Sequence, residues 1–155
     1  MSFSFAELDP TTGLHVTGRA QEIDPLSYRL VITGAVETPL SLTLDDVRCL
    51  PRVEQRCDLV CPETFIDTTT WAGARLRDVL ALAGPPEQIA SIRLVGADGY
   101  GSWLSPSIAM ADDSLLAYEW SGEPLPVLHG FPLRGVFPDA PGHMWVKWLV
   151  RIEIR

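Results

Sequence analysis

The sequence predicts a single α+β domain that is mainly β, with a mixed sheet at its core and few short helices. Three observations lead to this class. The chain has 155 residues and is 46% hydrophobic, a size and composition that suit one globular domain. Apolar and polar residues alternate in several segments that are rich in β-branched side chains. One amphipathic segment has clear helical spacing, without the regular strand–helix alternation of a βαβ fold.

The predicted strands follow one another along most of the chain. Residues 1–26 are polar and weakly patterned and are expected to form an N-terminal arm, which leaves residues 27–155 as the folded domain. Strands are favoured where β-branched and aromatic residues alternate with polar residues between turns. The predicted strands span 27–34, 53–61, 90–98, 115–120, 132–137 and 144–154.

Two helices and one isolated helical turn are predicted between these strands. The first helix spans 43–50, with Thr43 as its N-cap and acidic residues in its first turn. The second spans 72–86, carries a buried apolar stripe, and ends at Gly84 and two prolines. The single turn is predicted over 105–111.

The charge balance restricts the class of partner. The formal net charge is −8, and Lys147 is the single lysine beside eleven arginines. An acidic chain repels phosphate backbones and anionic lipid, so neither nucleic acid nor a membrane surface is an expected partner. The apolar runs are shorter than the roughly 20 residues that a membrane span requires. Three cysteines and an N-terminus without an export signal favour a cytoplasmic location.

The cysteines are the first candidates for chemistry. A thiolate is a soft ligand for transition metals, and Cys61 comes at the end of a predicted strand. Cys57 and Cys61 have Cys-x3-Cys spacing, but no second Cys or His pair follows at zinc-site spacing. On residue type alone, a buried structural cysteine is the more common case. The local pattern therefore leaves both interpretations open.

A second group of candidates lies in the C-terminal half. Three prolines stiffen residues 115–134, a stretch suited to form the wall of a binding site. If the strands around Arg134 and Lys147 are neighbours, the two cations converge on one anionic ligand, with His129 before the bend. The alternative is that Arg134 pairs with an acid and Lys147 is solvated. Asp98 lies in a turn, where an aspartate usually caps the local backbone.

Several motifs occur in a distinctive order along the chain. The most specific are LLAYE-x-x-G-x-PLP-x-x-HGFPLR over 115–134 and VKWL over 146–149, preceded by Trp-Ala-Gly at 71–73 and Gly-Ala-Asp at 96–98. In this order they resemble the molybdopterin-binding domain of the sulfite oxidase family over about residues 27–154. Cys-Pro-Glu-Thr-Phe at 61–65 resembles that family's Cys-x-Glu-x-aromatic branch.

The resemblance implies a role for each candidate residue. Cys61 aligns with the thiolate that ligates molybdenum, because its spacing to Trp-Ala-Gly matches that branch. Asp98, His129 and Arg134 fall where the family holds the pterin and its phosphate. The remaining positions, on the segment that closes over the same end of the cofactor, are Trp145, Val146 and Lys147.

The implied activity is that of a molybdenum-cofactor-dependent oxidoreductase. One pyranopterin dithiolene per molybdenum and the Cys61 thiolate imply oxygen-atom transfer on a small oxyanion or sulfoxide. The chain has no haem or flavin motif, so a separate protein is expected to carry the electrons. Residues 1–26 lack the family's Phe-x-Arg-Asn-His element that covers the pterin, and we expect a more open cleft. The alternative is a non-catalytic domain of the same fold that acts as a cofactor-free binding or interaction module.

Overall fold

The computed structural model describes the backbone of residues 2–8, 15–61 and 65–155, and the side chains of residues 20–56 and 69–155. The strands are β1 (Ser2–Leu8), β2 (His15–Arg19), β3 (Leu30–Gly34), β4 (Leu40–Leu42), β5 (Arg52–Cys61), β6 (Phe65–Arg75), β7 (Ile92–Gly96), β8 (Gly101–Leu104), β9 (Leu115–Trp120), β10 (Glu123–Pro124), β11 (Arg134–Val136) and β12 (Leu149–Ile154). The α-helices are α1 (Leu44–Arg48), α2 (Leu76–Ala81) and α3 (Pro106–Ala109). Two 3-10 helices span Val127–His129 and Gly142–Met144.

Two five-stranded sheets organise these elements. The first has the order β4-β3-β12-β7-β8 and is mixed, because β12 runs parallel to β3 and antiparallel to β7. The second has the order β10-β9-β6-β5, with β11 also paired to β9, and its pairs are antiparallel. Short helices and mostly strands confirm the predicted α+β, mainly β class.

One hydrophobic core joins both sheets. Alternation in β3, β7 and β12 buries one face of the mixed sheet, as the period of a strand requires. Helix α2 adds Leu76, Val79 and Leu80, which are fully buried at helical spacing. Thr43 caps α1 in a capping box with Asp46, as the sequence predicts for that cap.

Helix α2 begins later than predicted. Residues 72–75 belong to β6, which pairs with β5 on one side and β9 on the other. At Gly73 a Cβ atom would lie 2.0 Å from the carbonyl oxygen of Leu116, so only glycine fits between these strands. Pairing between distant segments therefore overrides the helical pattern until Leu76.

The last strand also begins later than predicted. Residues 144–148 are not part of β12, and Trp148 has a positive φ of 51°. The indole of Trp148 is fully buried and donates to the carbonyl oxygen of Val127 at 2.8 Å. Burial of this side chain thus favours a backbone turn that sequence alternation does not reveal.

The predicted arm contains an antiparallel pair, since β1 pairs with β2. The side chains of residues 1–19 lie outside the described part of the structure, so the arm's relation to a cleft stays a prediction. Among the described residues, no helix is long and apolar enough to cross a membrane.

Candidate functional site

In the proline-rich stretch after β10, one glycine, Gly130, is closely surrounded by other residues. Gly130 has a φ of 110° and follows the 3-10 helix that ends at His129. A Cβ atom on Gly130 would lie 3.0 Å from the Cβ of Arg134 and 3.1 Å from the Cβ of Lys147. Both the left-handed backbone and the close approach therefore require glycine here. The two predicted cations meet at this point.

Arg134 is held as a buried cation. Its side chain is 2% exposed, its Nη1 donates to the carbonyl oxygen of His129 at 2.9 Å, and its Nε donates to that of Gly135 at 3.2 Å. The guanidinium lies 4.6 Å from the ring centroid of Trp71 and 6.0 Å from that of Trp145. A guanidinium keeps its proton in proteins, so these contacts fix a permanent positive charge.

Lys147 lies beside this charge and is partly buried. Its Nζ donates to the carbonyl oxygen of Leu128 at 3.2 Å and lies 4.7 Å from the ring centroid of Trp148. Burial and, to a smaller extent, the nearby charge of Arg134 lower the pKa of Lys147 to about 7, while Asp98 opposes the change. Near neutral pH this amine is therefore poised between its two protonation states.

Asp98 reaches the same place from the mixed sheet. Its Oδ1 accepts from the backbone N–H of Tyr100 at 3.1 Å, so it caps the turn between β7 and β8. A Cβ atom on Gly96 would lie 2.7 Å from that oxygen and 2.5 Å from the carbonyl oxygen of Lys147. Asp98 therefore caps its turn, as aspartate usually does at such a position, and it is also a neighbour of Lys147.

The other predicted residues line the same region. His129 is 2% exposed and presents its carbonyl oxygen to Arg134. Trp145 and Val146 are buried, and the Trp145 indole donates to the carbonyl oxygen of Ala140 at 3.0 Å. Backbone hydrogen bonds from Gly135 to Val146 and from Leu149 to Leu133 join the two segments, although β11 pairs with β9. The structure thus brings the six predicted pterin-site positions together.

The predicted metal ligand is described only through its backbone. Cys61 ends β5 and pairs with Phe65, while the side chains of Cys57 and Cys61 lie outside the described residues. Gln55 is the β5 residue that pairs with Trp71. Measured along the strand from that level, Cys57 is about 7 Å away and Cys61 about 20 Å. Among the described side chains, no group of three His, Cys, Asp or Glu residues could hold a metal ion.

Trp71 has a role that sequence reasoning missed. It served there only as a spacing marker, whereas its ring faces the guanidinium of Arg134 and meets Trp145 edge-on at 6.5 Å and 79°. Trp71 and Arg134 are far apart in the chain, and their strands, β6 and β11, lie on either side of β9. No local pattern signals such a contact.

The donor set fits an anionic ligand with polar edges. Two adjacent cations can meet a phosphate, a carboxylate can accept from amines, and indole rings supply apolar walls. At both Gly96 and Gly130 a Cβ atom would clash with atoms of Asp98, Arg134 or Lys147, so glycine allows these segments to pack closely. Fold and site together indicate an α+β domain with a positively charged site that suits an anionic ligand.

Comparison with known proteins gives the family. Residues 17–155 match the family model of the oxidoreductase molybdopterin binding domain, and the chain belongs to this family. It is 38% identical to human mitochondrial sulfite oxidase over 86% of this chain and 30% of that protein. It is 36% identical to the uncharacterized oxidoreductase YuiH of Bacillus subtilis over 84% of this chain and 66% of that protein.

A solved structure shows the same fold. The chain superimposes on the crystal structure of the sulfane dehydrogenase SoxCD from Paracoccus pantotrophus with a TM-score of 0.87 and 30% identity. The match covers 95% of this chain and 43% of that chain. The chain spans less than two thirds of the length of each of these relatives.

Proposed function

We propose that this domain binds a molybdenum–molybdopterin cofactor and acts as an oxidoreductase on a small oxyanion or sulfoxide by oxygen-atom transfer. The observation that carries the proposal is the meeting of Arg134 and Lys147 around Gly130, in a chain whose net charge is −8. Two cations placed side by side, one of them 2% exposed, form a positively charged point that an anion can bind. A cofactor phosphate supplies that anion.

Each residue of the site has a place in this proposal. Arg134 and Lys147 would bind the phosphate, and Arg134 would do so from a fixed orientation, because carbonyl groups and Trp71 hold its guanidinium. Asp98 would accept from the pterin amines. His129 would form part of the wall beside them.

The segment Trp145–Lys147 would close over the same end of the cofactor, and the Cys61 thiolate would ligate the metal. When bound, the molybdenum centre supplies two-electron redox chemistry, while the chain supplies binding, orientation and charge. The electrons would pass to a separate carrier protein.

Metal and pterin analysis tests the proposal. Protein made in a molybdenum-replete host should contain molybdenum and a fluorescent oxidised pterin in equal amounts, near one per chain. Protein that contains neither would contradict the proposal and favour a cofactor-free binding module.

Cysteine variants test the ligand separately. Cys61→Ser should abolish the sulfur–molybdenum signal in X-ray absorption spectra, whereas Cys57→Ser and Cys49→Ser should keep it. Cys49 is an exposed free thiol at the end of α1 and serves as the matched control. Loss of the signal in Cys57→Ser alone would assign the ligand to the cysteine that lies nearer to the level of Trp71 along β5.

A further inference from the structure

Two tryptophans form a neighbouring pair on β6 and β9. Trp71 and Trp120 are directly opposite each other in this antiparallel ladder. Opposite residues project from the same face of a sheet, with Cβ atoms about 5 Å apart. Both side chains therefore project from the face of β6 and β9 from which Trp71 reaches Arg134.

Both indole N–H groups of this pair are buried and have no hydrogen-bond acceptor among the described residues. The contrast with two nearby tryptophans is clear. Trp145 donates to the carbonyl oxygen of Ala140 at 3.0 Å, and Trp148 donates to that of Val127 at 2.8 Å. Buried donors in folded proteins almost always have a partner. Two exceptions at directly opposite strand positions indicate an acceptor that the described residues do not supply.

The surroundings indicate the charge of that acceptor. The guanidinium of Arg134 lies 4.6 Å from the centroid of Trp71, and Lys147 approaches Arg134 across Gly130. The indole of Trp71 is 1% exposed, so this positive charge is weakly screened at its edge. Hydrogen bonds to an ionised acceptor are stronger than those to a neutral one. An anionic oxygen therefore fits better than a neutral carbonyl.

We propose that the indole N–H groups of Trp71 and Trp120 form a paired donor site for an anionic oxygen beside Arg134. The ligand class is an oxyanion, which reaches the site either as the phosphate of the bound cofactor or as a small oxyanion substrate. This inference deepens the proposed function, since both sources belong to it. In addition to the two cations that attract the anion, the site then has two N–H donors that recognise it.

Indole N–H resonances in nitrogen-15 spectra of the intact chain test the inference directly. Inorganic phosphate and sulfite serve as probes on cofactor-free protein, and cofactor-loaded protein is measured first without added anion and then with sulfite. The resonances of Trp71 and Trp120 should shift to lower field, as a new hydrogen bond requires. Those of Trp145 and Trp148 should stay in place, because their N–H groups already have acceptors.

The two sources of the oxyanion give different results. Shifts in loaded protein without added anion assign the acceptor to the cofactor phosphate. Shifts that appear only when sulfite is added assign it to a small substrate. If neither resonance moves under any condition, or if water cross-peaks show a bound water at both N–H groups in loaded protein with sulfite, the inference is overturned.

Phenylalanine variants measure the contribution of each donor. Trp71→Phe and Trp120→Phe remove the N–H and keep an aromatic ring, and each should weaken binding of the effective probe about 10- to 100-fold. Trp103→Phe is the control, since Trp103 is 40% exposed on the edge strand β8. Unchanged affinity in both folded variants would contradict the inference, even where metal and pterin analysis supports the proposed function. Indole shifts on addition of an anion to protein that takes up no cofactor would support this inference and contradict the proposed function.

Discussion

Replacement of Lys147 by methionine should stabilise the cofactor-free domain at low pH. At high pH this stabilisation should disappear. A lysine pKa lowered from 10.5 to about 7 corresponds to about 5 kcal/mol against the charged form in the folded state. Methionine has a similar length and no charge. It loses the hydrogen bond to Leu128 and the contact with Trp148, each worth about 1 kcal/mol, which leaves a net gain of about 3 kcal/mol.

The pH window follows from the two protonation equilibria of Lys147. Below pH 7 the amine is charged in the folded and unfolded states, so the full cost of its burial is present. Between pH 7 and 10.5 the unfolded chain binds a proton that the folded chain does not, and wild-type stability rises relative to the variant by about 1.4 kcal/mol per pH unit. Above pH 10.5 the amine is neutral in both states and the cost is gone.

Urea unfolding of both proteins from pH 6 to 10.5 measures this difference. At pH 6 the variant should also melt roughly 6 to 12 °C above wild type. Arg151→Met serves as the control, since Arg151 is an exposed cation paired with Glu153. A stability difference between wild type and Lys147→Met that does not change with pH, or a wild type that is more stable at pH 6, would refute the reasoning.

Three further substitutions have expected outcomes. Gly130→Ala should destabilise the domain by about 1 to 3 kcal/mol more than Gly122→Ala, since both glycines have positive φ but only at Gly130 would a Cβ atom meet neighbours; equal melting temperatures would contradict the crowding argument. Arg134→Lys should weaken inorganic phosphate binding about tenfold in calorimetry, while Arg151→Lys should not, because a lysine cannot reproduce a fixed guanidinium fork. Thr43→Ala should cost about 1 kcal/mol in urea unfolding through loss of the capping box, and Thr43→Ser should largely restore it.

Features that depend on neighbouring residues could be predicted from the sequence. The alternation that defines β7 and the cap at Thr43 both involve contacts within a few positions. The start of α2 could not be predicted, because residues 72–75 have helical spacing but are held in β6 by strands from distant parts of the chain. Local patterns cannot report a pairing such as that of Ala72 with Glu119 or of Arg75 with Leu115, whose partners lie 47 and 40 residues apart in the chain.

The candidate site, like the fold, has features that could be predicted from the sequence and features that could not. The meeting of Arg134 and Lys147 could be expected, since two adjoining segments and a family motif placed them together. The groups that surround Arg134 could not be predicted. The carbonyl groups that accept its hydrogen bonds and the ring of Trp71 come together only in the folded chain. The same is true of the indole pair, whose members are ordinary core tryptophans in the sequence.

The site links ligand binding to both folding and protonation. Burial and the nearby charge of Arg134 lower the pKa of Lys147, and Asp98 offsets only part of that effect. An anion between the two side chains would add negative charge beside Lys147, so its binding would raise the Lys147 pKa and take up a proton when the pH lies above 7. Anion affinity must then fall as pH rises from 7 towards 10.5. An anion that binds only the folded state would stabilise the domain by about 2.7 kcal/mol at 100 times its dissociation constant. The charges whose burial destabilises the fold are therefore the ones through which a bound anion would stabilise it.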